Sequence, residues 1–250
     1  MSRVLSAVWD LPQGLHAFTT TRCSARTKEG YDDFNLAAHV GDDLHTVEQH
    51  RRQLLQACEG LQAVQWLDQV HGTHIQQVDR LLAKPPTADA AVTADRGLGC
   101  AVLTADCLPV LFCDSKGAQV AAAHAGWRGL LAGVLVNTVN AFVASPSALR
   151  AWLGPCIRQP RFEVGAEVRD KFLADFVGPA AGEIETAFVA SARPGRYLCD
   201  LAALAAMQLR ALKVQNISDS GLCSYDDPRF YSYRRENPCG RFASLIYRMT

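Results

Sequence analysis

The 250-residue sequence has no excess of either charge, with 25 Lys and Arg against 25 Asp and Glu. That balance removes the one-signed field that draws proteins onto DNA, RNA or anionic membranes, so nucleic acid is not an expected partner. No apolar run approaches the ~20 residues that span a bilayer, and the start, MSRVLSAVWDLPQG, has no basic segment followed by an apolar stretch. No membrane partner is expected, and the cytoplasm is the expected location. There is no C-x-x-C pair, no repeat and no low-complexity tract. With an odd count of nine cysteines, this argues against a disulfide scaffold and for a reducing compartment in which most thiols are buried and inert. The seven histidines contain no H-x-H pair, which speaks against a multicopper cluster and its roughly ten histidines.

What remains is an ordinary globular composition, 49% apolar and 20% charged, long enough to build one large core. Pro and Gly are scattered rather than clustered, so residues 1–250 are expected to form one domain. Helical spacing of Leu44, Val47, Leu54, Leu55 and Cys58 predicts a helix over 44–58, with Asp43 as N-cap and Gly60 beyond its end. Short apolar segments at 100–104, 108–113 and 119–124 read as doubly buried strands. Residues 128–143 read as one helix following an AGWRG turn, and 151–153, 164–176, 200–212 and 242–247 as strand, helix, helix and strand. The tract 178–195 shows little periodicity. The fold class is thus α+β (mixed α/β), with mixed buried sheets flanked by helices.

Two stretches carry chemistry. TADCLPVLF carries Asp106-Cys107 in the middle of an apolar stretch, and AAHAGWRG ends another on His124, 17 residues after the cysteine. Pro109 cannot donate to a sheet ladder, which predicts a bulge or strand end that re-aims Cys107. His124 ends its run at a strand-to-helix turn, where α/β proteins place ligands. His71, in QVHGTH, follows another predicted strand. Two imidazoles and a thiolate suit Zn²⁺ and leave one position open, as in catalytic sites. Cys100 and Cys113 would be too far from Cys107 along a continuous strand to share one ion. The spacing matches no short zinc pattern, and an isolated cysteine in an apolar strand is ordinarily core filler.

FNLAAHVGDD (34–43), WLDQVHGTH (66–74), ADAAVT, TADCLPVLF (104–112), AAHAGWRGLLAGV (122–134), WLGPCI (152–157), FEVGAEV (162–168) and YSYRRE (231–236) occur in order and cover most of the chain. Together they resemble the YfiH-type laccase-domain family. That resemblance implies a YfiH-like fold and makes His71, Cys107 and His124 the ligands of one zinc per chain, with copper able to enter the same site. It implies phosphorolysis of adenosine, inosine and methylthioadenosine together with adenosine deamination. Polyphenol oxidation and peptidoglycan editing are further activities attached to the family. The stretch TTTRCSARTKEG replaces the family's usual glycine-rich segment near Arg22, and His50-Arg51 stands where the family has an Asn-Arg pair.

Around the expected ligands, Asp106 is a candidate proton shuttle or a carboxylate orienting a ligand histidine. Arg51 is expected to grip phosphate while Arg52, about 100° away on the helix, points to solvent. Asn35 and His39 line a pocket or build a turn, Trp127 stacks on a purine or packs at the turn, and Arg234 binds substrate or an oligomer contact. Cys223 matches a family cysteine but has no assigned chemistry. The expected partners are purine nucleosides and phosphate, in a monomer or small homo-oligomer. The alternative needs no metal: Cys107 as a thiolate nucleophile and His124 as its base, in a hydrolase or amidase acting on peptidoglycan precursors. A weak copper-dependent phenol oxidation is a third reading.

Overall fold

The computed structural model describes residues 3–22, 30–31 and 34–250, and the segment Cys23–Glu29 near Arg22 lies outside the described residues. One sheet has the order β1 (Val4–Ser6), β2 (Leu15–Thr20), β14 (Phe242–Arg248), β6 (Leu98–Thr104), β3 (Ala63–Gln65). A second has the order β13 (Asn216–Asp219), β9 (Leu149–Leu153), β7 (Leu108–Asp114), β8 (Val120–Ala125), β5 (Ala90–Thr93), β4 (Ile75–Gln77). A small third sheet has the order β10 (Glu163–Gly165), β12 (Arg196–Cys199), β11 (Phe188–Ala190). Both large sheets are mixed. Their interior pairs and the outer pair β1–β2 are antiparallel, and the other outer pairs, β3–β6, β13–β9 and β4–β5, are parallel.

The period of two along a strand builds the layers. Cys100 and Val102 of β6 meet Leu111 and Cys113 of β7 between the two large sheets. Ala101 and Leu103 face the other way, into a cluster with Leu54 of α1 (Leu44–Ala57). Val110 and Phe112 of β7 face α2 (Trp127–Ala132), α3 (Val134–Asn140), α4 (Ala166–Asp175), α5 (Ala181–Thr186) and α6 (Leu201–Ala211). The molecule is therefore helix, sheet, sheet, helices. Each large aliphatic or aromatic side chain in these layers contributes about 1.5–3 kcal/mol by burial.

Asp43 caps α1 by accepting from the Thr46 N–H at 2.8 Å, as the sequence predicts. The helix expected over 128–143 divides at Gly133, whose φ of 99° is left-handed and breaks the ladder between α2 and α3. The tract 178–195 contains α5 and β11, too short to show a period. Of the two outcomes expected at Pro109, the strand end is found and the bulge is not: β7 begins at Leu108, and Pro109 is its second residue, one position outside the last β7–β9 register pair, Val110 with Leu153. The continuous strand through Cys100, Cys107 and Cys113 is corrected: Cys100 and Cys113 do not share a strand with Cys107. β6 and β7 belong to different sheets joined by residues 105–107, and burial pushes the thiols of Cys100 and Cys113 up, that of Cys113 to about 12.

Candidate metal centre

Three chain segments end at one point between the large sheets. His71 sits in the loop from β3 to β4, Cys107 immediately precedes β7, and His124 is the penultimate residue of β8. Their ligand atoms lie within 4.8 Å of one another, with Cys107 Sγ 3.7 Å from His71 Nε2 and the two imidazoles nearly perpendicular at 4.7 Å. Zinc–nitrogen and zinc–sulfur bonds set at tetrahedral angles require separations of roughly 3.3–3.6 Å between ligand atoms. The donor set therefore fits a small tetrahedral ion and leaves a fourth position. Backbone strain aims two segments of the site: His71 has φ 59° and Asp106 has φ 95°, both in the left-handed region. The turn at Asp106, rather than Pro109, projects Cys107 from the end of β6.

Asp89, which the sequence reading passed over, organises the centre. Fully buried, it accepts from His124 Nδ1 at 2.8 Å and from the N–H groups of Val70, His71 and Gly72 at 3.2, 2.9 and 2.6 Å. One carboxylate thus fixes the ring of one ligand and the backbone of another, leaving His124 Nε2 to the site. Burial alone would raise the Asp89 carboxyl, but His124 and the backbone donors outweigh it and hold it below the usual range. The only signal in the sequence is a lone carboxylate opening the apolar run ADAAVT. Burial would also raise the Cys107 thiol, yet the imidazoles of His124 and His71 lower it. The His124 imidazole is raised in turn by Cys107 and Asp89 against its burial. The thiolate is the form that binds metal, and its formation is favoured here. Gly126 closes the site: a Cβ there would lie 2.8 Å from His71 Cδ2 and 3.0 Å from Cys107 Sγ.

The three donors open onto a cavity of about 460 Å³ that also receives His39, Asp106, Trp127 and Arg234. Asp106 does not orient a ligand histidine. Its two oxygens accept from Ser224 Oγ at 2.8 Å and from the Arg234 N–H at 2.7 Å, so it ties the 224–234 segment to the turn before Cys107. Asn35 is fully buried outside the cavity, where its amide bridges Ala37, Asp42 and the Arg241 N–H in a turn network. The structure does not bring Arg51 to this cavity. Its guanidinium donates twice to the Leu36 carbonyl, at 3.0 and 2.8 Å, and stacks 4.3 Å from the Trp66 ring. It lines a neighbouring space of about 370 Å³ that shares His39 and Leu103 with the first. Burial lowers the Arg51 pKa to about 10. Arg52 is exposed and faces Glu48. Cys223 lies beside Cys156 in an isolated bridge and does not line the cavity.

Sequence reasoning missed two cations of the cavity wall, Arg128 and Arg241. Arg128 stacks on Trp127 at 4.5 Å, and Arg241 donates to the Cys239 and Gly240 carbonyls at 2.7 and 3.0 Å. Arg234 donates to the Arg161 and Glu163 carbonyls at 3.2 and 3.3 Å. Among the described residues none of these three guanidiniums is paired with a carboxylate. Phe162 and Tyr233, also missed, add aromatic faces.

The family model described as multi-copper polyphenol oxidoreductase laccase matches residues 16–249. The chain belongs to this laccase-domain, YfiH-type family. It is 45% identical over 248 residues to a purine nucleoside phosphorylase of Pseudomonas aeruginosa, covering 99% of both chains. It is 41% identical over 248 residues, again 99% of each, to the purine nucleoside phosphorylase YfiH of Escherichia coli K12. Among solved structures, a Neisseria meningitidis protein superposes with TM-score 0.92 at 40% identity over the whole of both chains. YlmD from Geobacillus stearothermophilus superposes with TM-score 0.85 at 29% identity, over 95% of this chain and 93% of that one. The laccase-domain fold is thus the mixed α/β architecture described above. Among the described residues, no helix is long and apolar enough to cross a membrane.

Proposed function

We propose that this chain is a metal-dependent purine nucleoside phosphorylase that acts on adenosine, inosine and methylthioadenosine and also deaminates adenosine, with one zinc ion held by His71, Cys107 and His124. The observation that carries this reading is the meeting, in one cavity, of a His₂Cys donor set with three guanidiniums that have no acidic partner among the described residues. The names of the full-length relatives support it. Copper competes for the same donors, since both imidazole and thiolate suit it, but the donor set takes two of the seven histidines, too few for a multicopper cluster. When bound, zinc supplies Lewis acidity, polarising an oxygen donor and bringing the pKa of water towards neutrality.

In phosphorolysis a phosphate oxygen replaces the purine nitrogen on C1′ of the ribose. Arg128, Arg234 and Arg241 hold that phosphate; the last two are already fixed by carbonyls, so little side-chain freedom is lost on binding. Trp127, Phe162 and Tyr233 present faces for the purine. Asp106 keeps Arg234 in place through the backbone N–H of that residue rather than moving a proton. Deamination uses water in place of phosphate, so the guanidiniums matter less to it.

The test is elemental analysis of protein purified without added metal, together with chromatographic assay of adenosine, inosine and methylthioadenosine with and without phosphate. One zinc per chain and phosphate-dependent release of free base are expected. Metal-free protein that cleaves none of the three overturns the reading. A second reading draws on the facing Cys107 thiolate and His124 imidazole, which resemble a nucleophile and base of a hydrolase or amidase. Stoichiometric zinc removes it, because metal blunts the thiolate.

A further inference from the structure

Thr104 is the last residue of β6 and lines the metal cavity. Its side chain is buried, the residue being 1% exposed, and among the described residues its hydroxyl is the only buried one without a hydrogen-bond partner. The neighbouring buried hydroxyls are satisfied: Thr19 pairs with Ser244 at 2.7 Å, Thr20 accepts from the Ala243 N–H at 2.9 Å, and Thr93 donates to the Val78 carbonyl at 2.6 Å. An orphan buried hydroxyl is costly and calls for an explanation. The strand pattern sharpens the question. Positions 100, 102 and 104 share the face of β6 that meets the six-stranded sheet, and the first two are the apolar Cys100 and Val102. An apolar residue of the same shape would complete the row at 104. A hydroxyl appears only where the two sheets part to form the cavity.

We propose that Thr104 Oγ1 is a ligand-binding group that takes a ribose hydroxyl of the nucleoside and so separates ribonucleosides from their deoxy counterparts. The inference rests on the nucleoside reading above. A ribose hydroxyl both donates and accepts, as the threonine hydroxyl does. The aromatic faces suited to the base, Trp127 and Phe162, come from α2 and the segment before β10, leaving the β6 end of the cavity to the sugar. A site built to bond a substrate hydroxyl rejects the analogue that lacks it.

The test compares wild type, Thr104→Val and Thr104→Ser, each metal-loaded, with inosine, 2′-deoxyinosine and 3′-deoxyinosine. It reads kcat/KM, inosine affinity by calorimetry, and Tm. The valine variant should keep or raise its Tm while kcat/KM for inosine falls about 10-fold or more, and serine should restore it. For one of the two deoxy analogues, wild type and valine variant should be equal. The inference is overturned by a valine variant equal to wild type on inosine, or by one that loses equally on inosine and both analogues. A lowered Tm rescued by serine would assign the hydroxyl to the fold and overturn it as well. If wild type fails to cleave inosine, the phosphorylase reading falls, and the calorimetric comparison of inosine with its deoxy forms still decides the Thr104 contact.

Discussion

Asp89 shows what a single side chain does here. It accepts four hydrogen bonds from the segments that present two of the three metal donors, and none of its partners neighbours it in the sequence. Asp89→Asn keeps the size but removes the charge and offers donors where the backbone N–H groups need acceptors. It should weaken metal binding by about 10–100-fold, measured by competition with a chromophoric chelator. Unchanged affinity would reduce Asp89 to a folding role. Arg128 has no carbonyl or carboxylate partner to lose among the described residues, so Arg128→Ala removes only its stacking on Trp127 and its contact with ligand. The KM for phosphate should rise about 10–100-fold, from the loss of a charge-assisted hydrogen bond worth about 1.5–3 kcal/mol. Adenosine deamination should be spared; equal losses in both reactions would place Arg128 on the nucleoside. Arg51→Ala, by contrast, removes two bonds to the Leu36 carbonyl and the stacking on Trp66, and should lower stability by about 1–2 kcal/mol with phosphate KM little changed.

At the scale of elements, the strand-to-helix turn between β8 and α2 decides whether the donors can meet. Gly126→Ala puts a methyl group against both His71 and Cys107, at distances where something must shift. Metal content of the purified variant should fall well below one per chain while circular dichroism stays unchanged; full occupancy would mean that the turn yields. Such turns were legible in the sequence because apolar runs ending on Asp106-Cys107 and on His124-Ala-Gly mark strand ends. The resemblance, not the spacing, identified which three ends converge, since separations of 36 and 17 residues have no local geometry. Asp89 was illegible for the same reason: its role is defined by backbone N–H groups that only the fold brings near. Arg51 was readable as lying beside the buried stripe of α1, but its carbonyl and Trp66 contacts belong to the layer outside the five-stranded sheet. Short elements such as β1, β4, β11 and β13, of three or four residues, carry too few alternations to be read.

For the whole molecule, acid should act through the carboxylates that pin the segment leading back to the cavity. Asp219 and Asp227 are pulled below their ordinary pKa, against burial, by Arg158 and Arg229. A depressed folded-state pKa contributes stability above the unfolded value and loses it as pH falls through the folded one. Urea midpoints should therefore be flat between pH 7 and 5 and fall below about pH 4. A protein equally stable at pH 3 would remove these pairs from the account. The crossing from β6 to β7 has a consequence for how such a chain changes over evolutionary time. Residues 105–107 carry the backbone from one large sheet to the other in three steps, and every one of them borders the cavity. A residue added there would displace the Cys107 thiol from its partners, whereas one added between β11 and β12, far along the chain from the donors, would not. Length variation among such chains should therefore be absent from that crossing, which acts as a fixed ruler for the distance between the sheets.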